Sequence, residues 1–529
     1  MIRHVISFIF NNMPEARKYR RLFPDRLCAV VATPSAREAL RQLKEALSYT
    51  KTVELRLDWL RSDRERTALL RAVGRRRWKG VTLLATCRRV LGGGKLAGGA
   101  QAELYWLTQA REAGCQWCDL EVETLRELPN RCARCYPVPE RMLLSFHDFE
   151  RTPSLPRRLV PADGGEADAL KIAARARTLQ DSLSLLRLAR NSRDTVAVAM
   201  GELGLPARLL ALREGSALAY APITAATAPG QVSLHDFKRL YRADAATRRT
   251  AIYGVIGNPI AHSLSPLLHN TGYISGKRDA MFLPFLVESL SEFVQLIPDF
   301  GLRGISVTLP HKQSIMRYLA ECEPMAERIG AVNTVVVGRN GELRGSNTDG
   351  IGVLRALEGK LDPAGSRVLV FGAGGAARAA AFALAAAGAE VLICARRESA
   401  ARELARACAA QVIARRHLQT ARFELLVNAT PVGMHPHAGL SPLLPKELNA
   451  RWVMDLIYRP MRTELLRIAA RKGIGVISGV EMFLAQGFAQ WELFMGERPP
   501  ATAMRRAILR KLHAEEYAGG PKSAGRSRR

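Results

Sequence analysis

The 529-residue chain has few aromatic residues (6%), only nine cysteines and no long apolar run. No stretch approaches the roughly 18 consecutive apolar residues that a membrane-spanning helix needs, which excludes a transmembrane protein. Apolar residues still make up 48% of the chain, at a mean hydropathy of −0.05. This composition permits folded cores and excludes disorder as the main state. At about 150 residues per domain, the length predicts three or four units.

The cysteine content indicates a reducing compartment and a cytoplasmic protein, because nine is a small and odd number. Cys115 with Cys118, and Cys132 with Cys135, have the spacing of a zinc site. Cys118, however, runs directly into an alternating, strand-like segment. We therefore interpret these cysteines as small buried side chains and predict no metal, with structural zinc as the alternative. The apolar start, residues 1–10, is too short for a signal peptide and has no small-residue cleavage site.

The formal charge is +29, from 78 basic and 49 acidic side chains. Such a charge raises the affinity for phosphate-bearing polymers in general. The basic residues are nevertheless spread along the chain without a nucleic-acid-binding motif, and only 17–21 and 519–529 are compact basic segments. We predict an arginine-rich surface that attracts small anionic substrates, with no nucleic-acid or membrane partner. The oligomeric state is left open.

The first half of the chain alternates short apolar runs with segments of helical period. Eight such repeats within about 200 residues predict a (β/α)8 barrel, because the connections are too long for tight antiparallel turns. The predicted strands are 27–32, 52–58, 81–88, 117–122, 142–147, 169–174, 195–200 and 218–221.

A barrel of this kind carries its chemistry at the C-terminal ends of its strands. Polar residues occur at or near these strand ends, and others follow in the loop after the last strand. They are Glu54, Arg56, Arg88, Glu121, His147 and Lys171, then Thr227 and Gln231 in the loop.

Lys171 is the most informative of these residues, since it lies between Leu170 and Ile172 on a central strand. Burial there and nearby cations such as Arg88 favour an uncharged, nucleophilic amine. Such an amine forms a Schiff base with a ketone, which creates an electron sink for proton loss from the adjacent carbon. His147, at the same mouth, is the natural proton carrier near neutral pH. The alternatives are a lysine at the rim and a packed histidine.

The first half resembles type I 3-dehydroquinate dehydratase over about residues 26–235. The matching segments, in family order and spacing, are 54–58, 86–88, 145–149, 170–173 and 228–231. The resemblance implies that Lys171 forms the imine and that His147 transfers protons as water is eliminated. It also implies that the substrate is held by Arg208, Arg56, Arg88 and Gln231. Many relatives carry a glutamate, oriented toward the histidine, where this chain has Gly92, so we expect Glu54 or Glu121 to substitute.

The second half begins after a charged, helix-compatible connector at 240–250, and it contains two α/β units. Strands are predicted at 251–257, 281–286, 304–309 and 332–337, the last turning at the hairpin dipeptide Asn340-Gly341. A strand at 368–371 then leads into a Gly-x-Gly-x-x-Ala loop and an alanine-rich helix, the context of a Rossmann unit. The loop residues that would approach a pyrophosphate are Gly372, Ala373, Gly374, Gly375, Ala376 and Ala377.

Two arginines follow the next predicted strand, 390–394. Arg396 and Arg397 stand where an NAD site usually has an acidic residue. Guanidinium groups suit a 2′-phosphate, so we predict NADP, with NAD as the alternative.

The unit at 251–350 is then expected to bind the substrate. Ser263 and Ser265, followed by proline, predict a helix start with a serine N-cap, which serves capping alone or also a carboxylate ligand. Lys312 follows the strand 304–309, and Asp349 follows the hairpin. If the fold brings the two together, they form a pair that would pass a proton to a carbonyl oxygen while hydride reaches its carbon.

This half resembles shikimate dehydrogenase across about residues 250–498. The matching segments are 257–266, 307–312, 330–334, 347–350, the glycine loop, 428–431 and 480–486. The resemblance implies Lys312 and Asp349 as the catalytic pair. It implies substrate contacts from Ser263, Ser265, Thr308, Asn333, Tyr458 and Gln486, and nucleotide contacts from Asn428, Thr430 and Gly479. The family's Asn-Arg-Thr reads Ala395-Arg396-Arg397 here, so the asparagine is lost and the arginine is retained as Arg396.

The two resemblances predict an α/β chain with an N-terminal (β/α)8 barrel, a substrate-binding domain and a Rossmann domain. The product of the first reaction is the substrate of the second, which predicts a bifunctional enzyme that makes shikimate with NADPH. The alternatives are an NAD-linked quinate/shikimate dehydrogenase and a basic binding protein with degenerate sites. The expected boundaries are an extension at 1–25, the barrel at 26–238, a linker at 239–250, the substrate-binding domain at 251–362, the NADP-binding domain at 363–478, returning helices at 479–514 and a disordered basic tail at 515–529.

Overall fold

The chain forms two compact units that divide in sequence after Thr250. The computed structural model describes residues 22–76, 78–128, 135–155, 167–192, 194–224 and 230–518. In those ranges no helix is long and apolar enough to cross a membrane.

The first unit is a nearly closed barrel of eight parallel strands, as predicted. The strands adjoin in the order β7-β6-β5-β4-β3-β2-β1-β8. Across the remaining gap, the amide of Ala217 donates to the carbonyl of Thr195 at 2.8 Å. The strands are β1 Leu27–Val31, β2 Thr52–Arg56, β3 Thr82–Thr86, β4 Trp117–Glu121, β5 Arg141–Asp148, β6 Ala169–Arg175, β7 Thr195–Met200 and β8 Ala219–Pro222. The described helices of this unit are α1 Ala36–Ala46, α2 Asp63–Gly74, α3 Ala100–Glu112, α4 Val122–Glu127, α5 Leu179–Asn191 and α6 Leu205–Glu214.

Strand β4 illustrates how the two-residue period of a strand builds the barrel interior. Trp117 packs in the core cluster that also contains Cys28 and Leu84. Asp119 and Glu121 follow at intervals of two residues and so face the same side, nearer the C-terminal end of the strand. The apolar floor and the charged mouth of the barrel therefore come from one face of the same strand.

The cysteines follow the prediction in part. Cys115 and Cys118 are buried free thiols, which confirms the interpretation of that pair. Cys135 is exposed and disulfide-bonded, so the predicted burial is wrong for this residue. It lies in a turn beyond α4, where there is no sheet to cover it. Cys132 lies outside the described residues.

The connector between the units forms no regular helix over 241–250. A single π-helical segment, Asp236–Leu240, ends where the connector begins. Arg242 then takes a positive φ of 50°, which a continuing right-handed helix does not allow. The helix-compatible composition of this segment was therefore misleading.

The second unit begins with a mixed six-stranded sheet in the order β10-β9-β11-β13-β14-β12. Its strands are β9 Ala251–Gly257, β10 Ala280–Leu286, β11 Leu302–Val307, β12 Glu321–Cys322, β13 Thr334–Val337 and β14 Leu343–Ser346. Its helices are α7 Ser265–Ser275, α8 Leu290–Phe300, α9 Pro324–Ile329 and α10 Thr348–Leu357. The hairpin of β13 and β14 turns at Asn340-Gly341, as predicted, with Gly341 at a φ of 86°. Strand β11 ends at Val307, two residues before its predicted end.

A parallel six-stranded sheet follows in the order β17-β16-β15-β18-β19-β20, which is the predicted Rossmann-like unit. Its strands are β15 Arg367–Phe371, β16 Glu390–Cys394, β17 Gln411–Val412, β18 Phe423–Asn428, β19 Ala450–Asp455 and β20 Gly475–Ile477. The remaining helices are α11 Gly375–Ala386, α12 Glu398–Ala407, α13 Glu464–Arg471, α14 Gly479–Met495 and α15 Ala501–Ala518.

Two glycines let helix α10 pack closely against its neighbours. A Cβ on Gly352 would lie 2.9 Å from the Cβ of Gln486 on α14, and one on Gly350 would lie 3.1 Å from the Cβ of Ala383 on α11. Contacts this short leave room for hydrogen only. Helix α10, with Asp349 in its first turn, is thereby held directly against the two helices.

Candidate active sites

Lys171 lies inside the barrel and is only 6% exposed. Its Nζ donates to Oδ2 of Asp119 at 2.7 Å and lies 4.6 Å from the centre of the Tyr220 ring. Asp119 also accepts a hydrogen bond from the hydroxyl of Ser145. Lys171 is thus as buried as the sequence suggested. Its nearest charged neighbour, however, is the carboxylate of Asp119, whereas we expected a cation such as Arg88.

His147 is oriented by Glu121. Its Nδ1 lies 3.0 Å from Oε2 of Glu121, and the other oxygen of Glu121 accepts from Nε of Arg88 at 2.6 Å. Of the two expected substitutes for the missing glutamate, Glu121 makes this contact. Glu54 instead accepts from the hydroxyl of Thr86 at 2.7 Å.

The protonation states follow from burial and from this charge network. Burial and the charge of Arg88 lower the pKa of His147 to about 4. Burial alone would raise the pKa of Asp119, but Lys171 and Arg88 hold it below its usual value. Burial has the same effect on Glu121, where His147 and Arg88 likewise keep the pKa low. Near neutral pH, a neutral imidazole therefore lies beside the carboxylate of Glu121 and near that of Asp119.

Two further arginines were predicted to hold the substrate in the barrel. Arg56 forms two hydrogen bonds to Asp58, at 2.9 and 2.8 Å. Arg208 donates only to backbone carbonyls, those of Ala199 at 2.6 Å and Gly230 at 3.2 Å. Within the described ranges no carboxylate pairs with Arg208, and burial lowers its pKa to about 10. A half-buried guanidinium without a carboxylate partner suits the carboxylate of a ligand.

The loop after β8 carries two further predicted residues. Gln231 is described and half-buried, and it follows the glycine whose carbonyl Arg208 contacts. Thr227 lies outside the described residues.

In the second unit the fold brings Lys312 and Asp349 together. Nζ of Lys312 lies 2.5 Å from Oδ2 of Asp349, and the amide of Asn333 donates to the other oxygen of Asp349 at 2.8 Å. Asn347 caps α10 and places Asp349 in its first turn. Asp349 is 7% exposed, whereas the Lys312 side chain is 21% exposed. The lysine is therefore the more accessible member of the pair.

The other predicted substrate residues of this unit are half-buried or buried. Ser263 accepts from the amide of Ser265 at 3.3 Å, but the N-cap of α7 is Leu264, so the predicted serine cap is wrong. The hydroxyl of Ser263 supports only the turn that leads into the helix. Tyr458 stacks on Phe483 of α14 at 4.7 Å. Gln486, three residues further along that helix, donates from its side-chain amide to the backbone carbonyl of Phe483 at 2.9 Å. Thr308 is half-buried just beyond the end of β11.

The glycine loop after β15 leaves space for a ligand. Gly372 has a φ of 125°, which favours glycine, and a Cβ at this position would lie 3.1 Å from the carbonyl oxygen of Ala429. Around Gly374 and Gly375, in contrast, an added Cβ would meet nothing within 4 Å. Helix α11 begins here, and no side chain caps its N-terminus. Ala373, Ala376 and Ala377 complete the turn. Free amides in open space at a helix N-terminus fit a pyrophosphate.

Arg396 and Arg397 are both exposed just beyond β16, as a 2′-phosphate site requires. Asn428 is fully buried, and it fixes the next loop by accepting from the amide (3.0 Å) and hydroxyl (2.8 Å) of Thr430. Asn428 therefore fixes the loop at Thr430, and its predicted contact with the nucleotide stays a prediction. A Cβ on Gly479 would clash with the backbone of Ile457 at 2.5 Å, so its role is also one of packing.

Sequence reasoning missed three residues around Lys171, namely Asp119, Ser145 and Tyr220. Asp119 carried a readable signal, because it alternates with Glu121 on a strand whose other face is apolar. Ser145 and Tyr220 carried none, since a serine or tyrosine in a strand is common and only the barrel geometry turns them inward.

Comparisons with known proteins cover both units. Residues 27–248 match the family model of type I 3-dehydroquinase, 255–335 that of the shikimate dehydrogenase substrate binding domain and 479–509 that of the shikimate 5′-dehydrogenase C-terminal domain. The chain is 31% identical over 503 residues to the chloroplastic bifunctional 3-dehydroquinate dehydratase/shikimate dehydrogenase of Arabidopsis thaliana, covering 90% of this chain and 83% of the relative.

Two shorter relatives match the second half alone. The shikimate dehydrogenase (NADP(+)) of Moorella thermoacetica is 41% identical over 292 residues, which covers 52% of this chain and 98% of the relative. The crystal structure of the shikimate 5-dehydrogenase of Thermus thermophilus, in complex with NADP(H) and shikimate, is 37% identical. The match covers 49% of this chain and 99% of that one, with a TM-score of 0.46.

Proposed function

The chain belongs to the family of bifunctional 3-dehydroquinate dehydratase/shikimate dehydrogenases, and from this membership we propose which residues carry out each reaction. It is a lyase that converts 3-dehydroquinate to 3-dehydroshikimate and an NADP-dependent oxidoreductase that converts 3-dehydroshikimate to shikimate. The barrel carries the first reaction and the second unit carries the other.

In the barrel, Lys171 forms the imine. The amine displaces the ketone oxygen as water and leaves a cationic C=N bond, which draws electrons from the adjacent carbon. Asp119, at 2.7 Å, is placed to take a proton from the amine as it attacks and to return it as the ketone oxygen leaves as water. His147 is neutral, so its free nitrogen can remove the proton from that carbon and later deliver it to the departing hydroxyl. Water then hydrolyses the imine of the product and frees the amine of Lys171.

In the second unit, Lys312 supplies the proton that the carbonyl oxygen of 3-dehydroshikimate needs. NADPH, when bound, supplies the hydride. Asp349 holds the ammonium of Lys312 at 2.5 Å and is itself fixed by Asn333. The greater exposure of Lys312 leaves it free to reach the substrate while Asp349 stays in place. Gly374, Gly375 and the first turn of α11 would hold the pyrophosphate.

The positions of three arginines support the assignment of an anionic ligand group to each unit. Arg208 is half-buried in the barrel unit and has no carboxylate partner among the described residues, and we assign it to the carboxylate of 3-dehydroquinate. Arg396 and Arg397 extend from the end of β16 and are assigned to the 2′-phosphate of NADP.

The observation that carries the proposal is the burial of Lys171 against Asp119 in a barrel that also holds His147. The test is a pair of variants, assayed for both reactions in the same preparation. Lys171→Ala should abolish dehydration and borohydride trapping of an adduct at residue 171, and should leave NADPH-dependent reduction within twofold of wild type. Lys312→Ala should do the reverse. The site assignment fails if both activities survive either change.

We also propose a cytoplasmic location. The support is that seven of the eight cysteines among the described residues are free thiols, with the disulfide-bonded Cys135 as the exception. The Arabidopsis relative is named as chloroplastic, so fractionation of cells that express the natural gene decides the question.

A further inference from the structure

Gln490 lies on α14, one helical turn beyond Gln486, and is only 3% exposed. Its four hydrogen-bonding positions are all used. The carbonyl oxygen accepts from the hydroxyl of Ser306 at 2.8 Å and from Nε2 of His269 at 3.3 Å. The amide nitrogen donates to the hydroxyl of Thr334 at 3.1 Å and to the carbonyl of Asn333 at 3.3 Å.

This polar cluster lies beside an apolar core, where packing alone would favour hydrocarbon. His269 is fully buried and stacks on Phe282, with the ring centres 4.4 Å apart. Trp491, the next residue of α14, is also fully buried. Burying an amide is unfavourable unless its oxygen and nitrogen find partners, and Gln490 finds four, whereas Nδ1 of His269 has none among the described residues. A fully paired glutamine in such a place calls for a role beyond filling space.

The network continues from Gln490 to the catalytic pair in two steps. The Thr334 hydroxyl, which accepts from Gln490, donates to Oδ1 of Asn333 at 2.8 Å. Oδ1 of Asn333 also accepts from the backbone amide of Thr348 at 2.8 Å. Nδ2 of Asn333 donates to Oδ1 of Asp349, also at 2.8 Å. The amide plane of Asn333 is therefore fixed on one side by residues that Gln490 holds, and on the other side by the first turn of α10.

We propose that Gln490 is a positioning residue of the reduction site, which acts through Thr334 and Asn333 to hold the carboxylate of Asp349 against Lys312. The inference rests on the proposed function of that pair. Gln490 fixes both the backbone carbonyl of Asn333 and the hydroxyl that orients its side chain. Without these two contacts, Asn333 keeps its hydrogen bonds to Thr348 and Asp349 but is less firmly fixed in place.

The primary variant is Gln490→Met, which keeps the length of the side chain but removes the donors to Asn333 and Thr334. We expect kcat for reduction to fall about tenfold, the effect of one hydrogen bond of ordinary strength. The acid limb of the kcat profile should also move toward higher pH, because a carboxylate that loses a hydrogen-bond donor is protonated more readily. A substitution that only lowered the folded fraction would reduce kcat without moving the profile.

A second pair of variants tests the route through Thr334 even if Gln490→Met folds poorly. Thr334→Val removes the hydroxyl and should reproduce both effects, whereas Thr334→Ser keeps it and should restore the wild-type profile. In the double variant, Thr334→Val should cost less than twofold beyond Gln490→Met, because both act on one chain of contacts. Glu492→Gln is the matched control on α14, since Glu492 pairs with Arg355 outside the network.

The readouts separate this inference from the proposed function. NADPH binding, followed by its fluorescence, reports the folding of the second unit, and dehydratase activity reports the active concentration of the same chain. The proposal is overturned if Thr334→Val or a folded Gln490→Met keeps the wild-type kcat and pH profile while Lys312→Ala is inactive. If Lys312→Ala is itself active, the catalytic pair is wrong and the failure lies with the proposed function.

Discussion

Replacing Glu121 by glutamine tests the arrangement of the dehydratase site most directly. Glu121 accepts from Arg88 at 2.6 Å and lies 3.0 Å from Nδ1 of His147. The carboxylate fixes which nitrogen of His147 carries the hydrogen and leaves the other free as the base. A hydrogen bond to a charged group is worth about 1.5–3 kcal/mol. We therefore expect Glu121→Gln to lower the dehydratase kcat by about 10- to 100-fold.

The pH dependence gives the sign of the effect. The pKa of His147 lies at about 4, against an ordinary value of 6.5, because burial and Arg88 outweigh the attraction of Glu121. Removing the charge of Glu121 lowers this pKa further. The acid limb of the kcat profile should therefore move to lower pH as kcat falls. The assay is the ultraviolet absorbance of the conjugated product, followed from about pH 2.5 to 8 so that the range extends below the pKa of His147, with reductase activity as the internal control.

Gly92 provides a rescue. A Cβ at this position would lie 3.5 Å from Cδ of Glu121 and 3.4 Å from Cγ of Arg88, and the glycine does not take a positive φ. Gly92→Glu should therefore place a carboxylate near His147 and recover part of the activity of Glu121→Gln. Glu54→Gln is the comparison, because Glu54 contacts Thr86 and should leave the acid limb in place. An unmoved limb and a kcat within twofold of wild type for Glu121→Gln would refute the reasoning.

Two further predictions concern the second unit. Arg396→Ala should raise KM for NADP about tenfold or more and leave KM for NAD within twofold, because only NADP carries the 2′-phosphate. The control is Arg402→Ala, which removes an exposed arginine paired with Glu398. Equal losses for both nucleotides in Arg396→Ala would contradict the assignment. Burial lowers the pKa of His269 from 6.5 to about 4. As the pH falls below 6.5, this histidine binds a proton in the unfolded chain but not in the folded chain. The free energy of unfolding therefore decreases as the pH falls from 6.5 toward 4. Between pH 7 and 5 this histidine should cost about 2 kcal/mol of unfolding free energy, measured in urea against His269→Asn, and equal pH slopes for the two proteins would count against it.

The barrel was predictable because each strand is a short run with its own period, and because parallel strands place their C-terminal ends at one mouth. Lys171 and His147 could be assigned on that basis, since a lysine between two apolar residues has few structural uses. The sequence did not reveal which charged side chains contact one another inside the barrel. Asp119, not Arg88, is the nearest neighbour of Lys171, because the stagger between adjacent strands decides which side chains share a level.

The second unit shows the same division. The glycine loop and its flanking strand and helix are local features, and they were readable as a nucleotide site. Gln490 was not readable, because a glutamine on a largely apolar helix has no meaning until β11, β13 and α7 bring Ser306, Thr334 and His269 to it. The serine cap at Ser263 failed for a related reason. The turn that precedes α7 uses the hydroxyl locally and leaves Leu264 at the N-cap position.

Because residue 352 is a glycine, helix α10 packs close to helix α14, and the position of Asp349 depends on the distance between these helices. A methyl group there would collide with the Cβ of Gln486 and the carbonyl of Met482, both at 2.9 Å, and helix α10 would have to retreat from α14. Asp349 lies on the first turn of that helix, so the retreat would stretch its short link to Lys312. We therefore expect one added methyl group beside Gln486 to impair the proposed proton delivery while leaving every chemically active group present.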